Sequence, residues 1–594
     1  MLKHDRSELD YGQLVKKARR LGPGSGPKLK LALLADVSTQ HLTPLLRVLF
    51  ASNGVDVEIY EAGFDTVEVE SLDPNSGLYA FGPQVIVILQ SIMKLKSNFY
   101  QGQEDRRSFA QAKAGAIEAV WSAIRVRSTA VIVQSTFVLP YERTSGNFGR
   151  VTGDSLLDSV EELNREICRH ASQHPSVLIN DVDYLAAWVG RGHFLDEKLW
   201  CLAKSFCALK YLPQVAQNIV DISLASLGRS VKCVVLDLDN TIWGGIIGDD
   251  GLEGIVLGEL DEDGVFRSFQ SFLKELSARG IILAVCSKND EAVAREVFQK
   301  HPGMVLREED IAVFIANWDD KAANLRRIRD TLNIGFDSMV FLDDSPFERN
   351  LVRQLVPEII VPELPEDPAL YVRALSELNL FETASQSSLD AGRAALYKDQ
   401  QKREVESKKF ATLDQYLESL QTTAHCQRFE SATLGRVAQL IQRSNQFNLT
   451  TRRYSEAECK MMMEDRDRYF PFTISVHDRF GDFGLINVVI LRLKPNEGVL
   501  EIDTFLMSCR VLQRGVEQLA MNKILDFART GAYQCVLGQF IPTAKNMMVK
   551  SFFEQFGFRQ TATSPEGATH WRMETADYVP RKVFISEQCG DGAM

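Results

Sequence analysis

The sequence predicts a multidomain α/β chain: two units of alternating strand and helix, followed by a mixed α+β unit. Three observations carry this. At 594 residues the chain exceeds what one hydrophobic core holds, so three or four domains are expected. From about residue 29 to 225, and again from about 230 to 364, short β-rich apolar runs alternate with helical stretches. That rhythm belongs to parallel sheets covered on both faces. From about 426 to 575 the pattern changes to one helix, three strands and two more helices.

The elements follow in order. After a basic, glycine-rich start, LKLALLAD, VDVEIYEAG, PQVIVILQ, TAVIVQSTF and SVLINDVD read as strands, with SFAQAKAGAIEAVWSAI as a covering helix. A second set begins with VKCVVLDLD and stops at IIVPELPEDP, where three prolines break the pattern. AGRAALYKDQQKREVESKKF reads as a charged helical connector. The helix GRVAQLIQRSN and the strands FTISVHDR, LINVVILRL and VLEIDTFLMS open the last unit. The boundaries expected are 1–28 for an N-terminal extension, 29–225 and 226–365 for the α/β units, 366–425 for a helical linker, 426–577 for the mixed domain and 578–594 for a tail.

Bulk properties narrow the function classes. A composition of 45% hydrophobic and 25% charged residues is that of a soluble globular protein. The net charge of −12 argues against a nucleic-acid surface, and an acidic partner would need a local basic patch. No run of about twenty apolar residues suggests a membrane span. The opening MLKHDRSELDYG lacks the apolar core of a secretion signal. Ten cysteines lie scattered without CxxC pairs or zinc-ligand spacing, so reduced thiols and a cytoplasmic location are expected.

Four motifs carry chemistry. Asp237 and Asp239 end the apolar run of VVLDLDNTIWGG; Ser287 follows IILAVC; Lys321 lies in NWDDKAANL; Asp343 and Asp344 follow SMVFL. Asp237 suits a nucleophile toward phosphorus, and Asp239, two residues on, suits a general acid and base. Asp343 and Asp344, with Asp237 and Asp239, are the expected Mg²⁺ ligands, since Mg²⁺ takes oxygen donors. Ser287 and Lys321, with Asn289 and Thr241 beside the motifs, are the expected phosphate-binding groups. Ser345 and Glu348 around Pro346 fit a capping box, and the helix EAVAREVFQ is expected to point its N-terminus at phosphate.

These residues resemble the haloacid-dehalogenase (HAD) phosphotransferases, which implies a central Rossmann-like domain over about residues 230–365. The intervals between motifs leave room only for the glycine-rich hairpin TIWGGIIGDDGLEG as a minimal cap. An open site suits a substrate carried by another protein.

FLMSCRVLQRGVEQLAMNKILDFA followed by IPTAKNMMVKSFFEQFGF resembles the core of GNAT-type acetyltransferases. Against the family's loop pattern, with Gly515 as the first glycine, the chain has Leu512 in the leading place and Glu517 where a small residue belongs. Phe553 stands where the family has a tyrosine. The resemblance leaves a groove suited to a pantetheine arm, with Gly515 and Asn546 as its binding residues. Cys509, at the end of the lining strand, is the candidate acyl-accepting thiol, with Cys286 as its rival.

DLDNTIWGG, AVCSKND, NWDDKAANL, FLDDSPFERN and DRFGDFGLINVVIL together resemble the FkbH-like glyceryl transferase/phosphatases over about residues 230–575. The resemblance implies D-1,3-bisphosphoglycerate as substrate, a cysteine thioester, Mg²⁺-dependent removal of the 3-phosphate, and delivery of D-glycerate to an acyl carrier protein. No nucleic-acid or membrane partner is expected. Residues 29–225 resemble an SGNH-hydrolase sandwich in which Ser38 takes the nucleophile's place. Its late D-x-x-H is missing, His193 and Asp196 have reversed order, and Asn147 is the oxyanion candidate. A docking or structural role is therefore expected for this domain. The alternatives are a plain small-molecule phosphatase and a non-catalytic carrier-docking scaffold.

Overall fold

The run KLKLALLA forms β1 (Lys28–Ala35), which is buried at every residue except Lys28 and Lys30. It lies in a five-stranded parallel sheet with β2 (Asp56–Glu61), β3 (Val85–Leu89), β4 (Val131–Ser135) and β5 (Val177–Asn180), in the order β2-β1-β3-β4-β5. Every residue of β3 is buried, as a parallel strand covered on both faces requires. The helix Phe109–Arg127 packs on this sheet through Trp121, whose indole donates to Gln134 Oε1 at 3.1 Å. Strand order reverses between β1 and β3, which opens a crevice at their C-terminal ends.

This computed structural model divides into two units: Met1–Ser230 with Leu375–Ala384, and Val231–Ala374 with Ser385–Met594. It describes residues 10–588 apart from 23, 25, 102–105, 145, 259–263, 385–402, 404–405, 407–408, 411, 445, 509–510, 513, 544–545 and 566. Most of the expected helical connector therefore lies outside the described residues. Among the described residues no helix is long and apolar enough to cross a membrane.

The second unit holds two sheets. Its four-stranded parallel sheet runs β8-β7-β6-β9, built from β6 (Cys233–Leu236), β7 (Ile282–Ser287), β8 (Ile311–Ala316) and β9 (Met339–Leu342). Leu236 pairs with Val285 on one side and Leu342 on the other, so the residues that follow each strand emerge along one edge.

The other sheet has eight strands in the order β15-β16-β14-β13-β12-β11-β10-β17. These are β10 (Thr422–Arg428), β11 (Tyr469–Asp478), β12 (Gly481–Lys494), β13 (Val499–Met507), β14 (Cys535–Phe540), β15 (Arg559–Thr563), β16 (Thr569–Glu574) and β17 (Ile585–Glu587). β13 and β14 are parallel, joined through the helix Val516–Thr530, and pair only over Val499–Glu501 and Cys535–Leu537. Beyond that point Phe447–Leu449 bridges between them. Leu449 N donates to Phe505 O at 3.1 Å, Met507 N to Phe447 O at 3.0 Å, and Ile541 N to Leu449 O at 2.9 Å.

Candidate active site

The four motifs converge at the C-terminal edge of the four-stranded sheet, where strand order reverses between β6 and β9. Asp237 N donates to Leu342 O at 2.9 Å, which carries the strand pairing one step past β6 and sets Asp237 beside Asp343. Lys321 begins the helix Lys321–Leu332 and is buried; its Nζ lies 2.7 Å from Asp237 Oδ2 and 2.5 Å from Asp343 Oδ2. Burial alone would lower the lysine's pKa, but Asp237 and Asp343 more than reverse this and raise it. Burial, then the charge of Asp237, raises the pKa of both Asp343 and Asp344.

One oxygen from each of Asp237, Asp343 and Asp344 lies within 4.8 Å of the others, a spacing that suits a single cation. Asp237 Oδ1 is buried and has no hydrogen-bond partner. A carboxylate oxygen in that state is costly unless a positive charge meets it, so these three residues fit a divalent ion. Asp239 departs from the expected ligand set. Its Oδ1 accepts from Trp243 Nε1 at 2.9 Å and Ile247 N at 3.1 Å, and its Oδ2 from Asn289 Nδ2 at 2.9 Å. These bonds hold its side chain apart from the cation cluster, in a place that suits proton transfer.

The expected phosphate ligands divide. Ser287 is buried next to Asn289, whose amide bridges Ser287 Oγ at 3.1 Å and Asp239. Thr241 instead positions Asp344: its hydroxyl lies 3.3 Å from Asp344 Oδ1 and accepts from Asp344 N at 3.1 Å. The helix Glu291–Lys300 is no phosphate site, because Asp290 caps it and takes the N–H groups of Ala292 and Val293. Ser345 caps the helix Pro346–Leu355, but Glu348 does not complete a capping box. Its Oε1 accepts from Lys288 Nζ at 2.6 Å.

The glycine-rich segment is closed by an antiparallel pair of Gly244 and Val256 and carries a short helix, Ile247–Gly254, between them. Gly245 has φ 89°, and a Cβ there would meet Asp250 Oδ2 at 2.6 Å, so only glycine fits. Sequence reasoning also missed Arg349, whose Nη1 donates to the carbonyls of Asp343 at 2.8 Å and Asp344 at 2.7 Å. Its place one helical turn after the acidic pair was the available signal.

Comparison with known proteins agrees with this geometry. The description "FkbH, N-terminal domain" matches residues 30–224. The N-terminal part of a Bacteroides fragilis protein, containing a phosphatase domain and complexed with Mg, is 39% identical at a TM-score of 0.60. The alignment covers 63% of this chain and 99% of that one. The chain belongs to the FkbH-like HAD family. Two acetyltransferases also align with this FkbH-like chain. The ribosomal-protein-S18-alanine enzyme of Escherichia coli has 12% identity and a TM-score of 0.21, covering 29% of this chain and 99% of its own. The spermidine enzyme of Vibrio cholerae has 16% identity and a TM-score of 0.22, covering 27% and 98%. No curated protein matches in sequence.

The remaining expected residues fare differently in this FkbH-like protein. Cys286 is 0% exposed, with Sγ 3.7 Å from Lys321 O, and burial raises its pKa. A thiol so enclosed is a core residue and not an acyl acceptor. Cys509 lies outside the described residues. Asn546 is also 0% exposed: its Nδ2 donates to Asn448 O and Ile541 O, both at 2.9 Å, and its Oδ1 accepts from Thr543 N. Its amide is spent on its own loop and on the Asn448 carbonyl, which corrects the pantetheine assignment. Gly515 is the N-cap of the helix Val516–Thr530, with φ 88°.

Among the described residues of the first unit no hydrolytic triad forms. Ser38 donates its backbone N–H to Lys204 O, and Asn147 sits exposed in the short 3-10 helix Gly146–Phe148, accepting from Arg143. Asp196 caps the helix Glu197–Ala203.

Proposed function

We propose that this chain is a Mg²⁺-dependent glyceryl transferase/phosphatase acting with an acyl carrier protein. The observation that carries the phosphatase half is the buried, unpartnered Asp237 Oδ1 beside Asp343, Asp344 and Lys321. The magnesium of the Bacteroides fragilis neighbour becomes this chain's cofactor on that reading. Bound there, Mg²⁺ neutralises the acidic cluster against an anionic substrate. Asp237 attacks the phosphorus, the bond to the substrate oxygen breaks, and Asp239 gives that oxygen a proton. Asp239 then takes a proton from water, which attacks the aspartyl-phosphate and releases phosphate. Lys321 holds its charge throughout and faces the phosphoryl oxygens.

The transfer half rests on family resemblance. The Cys509 thiolate attacks C1 of D-1,3-bisphosphoglycerate and the 1-phosphate departs with the electron pair. After removal of the 3-phosphate, the carrier's phosphopantetheine thiol takes the glyceryl group and Cys509 leaves as thiolate. The rim of the phosphatase site supports a protein-borne substrate. Trp318, after β8, is 77% exposed, and Phe347, after β9, is 71% exposed, following the two edge strands of the four-stranded sheet.

One observation favours the plainer phosphatase reading. Phe447–Leu449 and the buried Asn546 occupy the gap between β13 and β14 that a pantetheine arm would need. Intact mass and peptide mapping after incubation with 1,3-bisphosphoglycerate and Mg²⁺ separate the two. The transferase reading expects a glyceryl adduct on Cys509, and a 3-phosphoglyceryl adduct that persists in Asp237→Asn. An unmodified protein leaves only the phosphatase, and a Cys509→Ala variant that still charges a carrier overturns the route through Cys509.

A further inference from the structure

A small pocket opens at the C-terminal edge of the first unit's sheet, where its strand order reverses. Asp36 comes from just past β1, Gln90 from just past β3, and Gln134 from within β4. In open α/β sheets ligands sit in this crevice. Lys113, Ala116, Ile117 and Val120 line it from one face of the helix Phe109–Arg127.

The polar groups of the pocket are unequally satisfied. Asp36 is only 3% exposed; its Oδ1 accepts from Ser91 N at 2.7 Å, and its Oδ2 accepts from no other described residue. Gln134 is held by Trp121, Ser135 and Gln90. Lys94 is paired with Asp65, and Glu68 stands at the exposed rim. Among the described residues Lys113 makes no ion pair, and the side-chain amide nitrogens of Gln90 and Asn98 donate to no one. Three open donors therefore share a cavity with one open carboxylate oxygen. Three donors call for an anionic group, and the carboxylate calls for a ligand that also carries a hydroxyl.

We propose that the first unit binds a small hydroxy acid in this pocket, its acid group against Lys113, Gln90 and Asn98, and a hydroxyl donating to Asp36. Ser38 is not among the lining residues, so the ligand is held and not cleaved. The inference stands independently of the phosphatase site.

The test is calorimetric titration of the full chain, stripped of divalent ions with EDTA, using D-glycerate and, as the hydroxyl-free comparison, propionate. Binding of one D-glycerate is expected, weaker by roughly tenfold for propionate and in Lys113→Met and Asp36→Asn, as loss of one charge-assisted hydrogen bond implies. Asp343→Asn, in the other unit, is expected to bind as the parent does. Lys113→Met changes a helix side chain, and its thermal unfolding shows whether it folds; if Asp36→Asn does not fold, Lys113→Met decides alone. No binding of D-glycerate, equal binding of propionate, undiminished binding in Lys113→Met, or loss of binding in Asp343→Asn would each overturn the proposal.

Discussion

The indole of Trp243 donates to Asp239 Oδ1 at 2.9 Å while its ring packs edge-on against Phe298, at 6.1 Å between centroids. Trp243 is fully buried and bonds Asp239, the proposed general acid, so on that reading it is a positioning residue. Trp243→Phe keeps most of the packing and removes the bond. A hydrogen bond to a charged group is worth about 1.5–3 kcal/mol. We expect kcat for p-nitrophenyl phosphate to fall ten- to a hundredfold, in about that proportion, with KM little changed. A rise in KM with unchanged kcat would remove the positioning role.

Lys321 bridges two buried carboxylates, and removing it strands both. Breaking such a pair costs about 3–5 kcal/mol. Lys321→Met is therefore expected to lower the melting temperature of the second unit and abolish turnover. Added Mg²⁺ should raise the melting temperature of the parent, since a ligand at a hundred times its Kd contributes about 2.7 kcal/mol. Asp343→Asn should lose that rise. Differential scanning calorimetry with and without EDTA reads both effects.

Cys286 is closed off beneath the active site, so Cys286→Ala should leave acyl loading intact and cost about 1 kcal/mol of stability. Cys509→Ala should abolish loading without affecting phosphate release from p-nitrophenyl phosphate. Mass spectrometry and phosphate release measure the two halves separately. Loading that depends on Cys286 would contradict its burial.

Burial pushes the pKa of Asp36 from 3.8 up to about 7. The folded state thus keeps a proton that the unfolded chain has already released. Stability from this group is fully present below the unfolded value and is lost as pH rises toward about 7. The interval between 3.8 and about 7 corresponds to at most about 4 kcal/mol. Asp36→Asn should therefore melt later than the parent at pH 8 and alike at pH 4. Thermal melts of the first unit across that range test the sign.

Trp318 and Phe347 make no part of the acid cluster, so Trp318→Ala with Phe347→Ala should hydrolyse p-nitrophenyl phosphate normally. On the carrier reading the same variant should show a raised KM for carrier-bound 3-phosphoglycerate alone. Equal kinetics on both substrates would separate the rim from carrier recognition.

The acidic cluster was legible in the sequence because parallel strands gather the residues that follow them along one edge. Asp237, Ser287 and Asp343 each end or follow an apolar run, and Lys321 opens the next helix. The roles that depend on distant partners were not legible. Asp239 looked like a cation ligand until Trp243, Ile247 and Asn289 were seen to occupy its oxygens. Glu348 looked like half of a capping box, but the Ser345 N–H goes to Asp343 Oδ1 and Glu348 pairs with Lys288, which is remote in sequence. Nothing in FNLT signals that Phe447–Leu449 enters the gap beside β13, since that placement depends on where two strands part. Asn546 follows the same logic: a polar residue in a loop reads as available until its neighbours are known.

The pairing of Leu236 with Leu342 acts as the gauge that brings Asp237 level with Asp343. A slip of one residue would swing the second aspartate to the opposite side of the sheet and scatter the cluster. No nascent chain can dephosphorylate anything before β9 has emerged and annealed to β6. Recovery of turnover during refolding is thus a direct clock for the closure of that long-range contact.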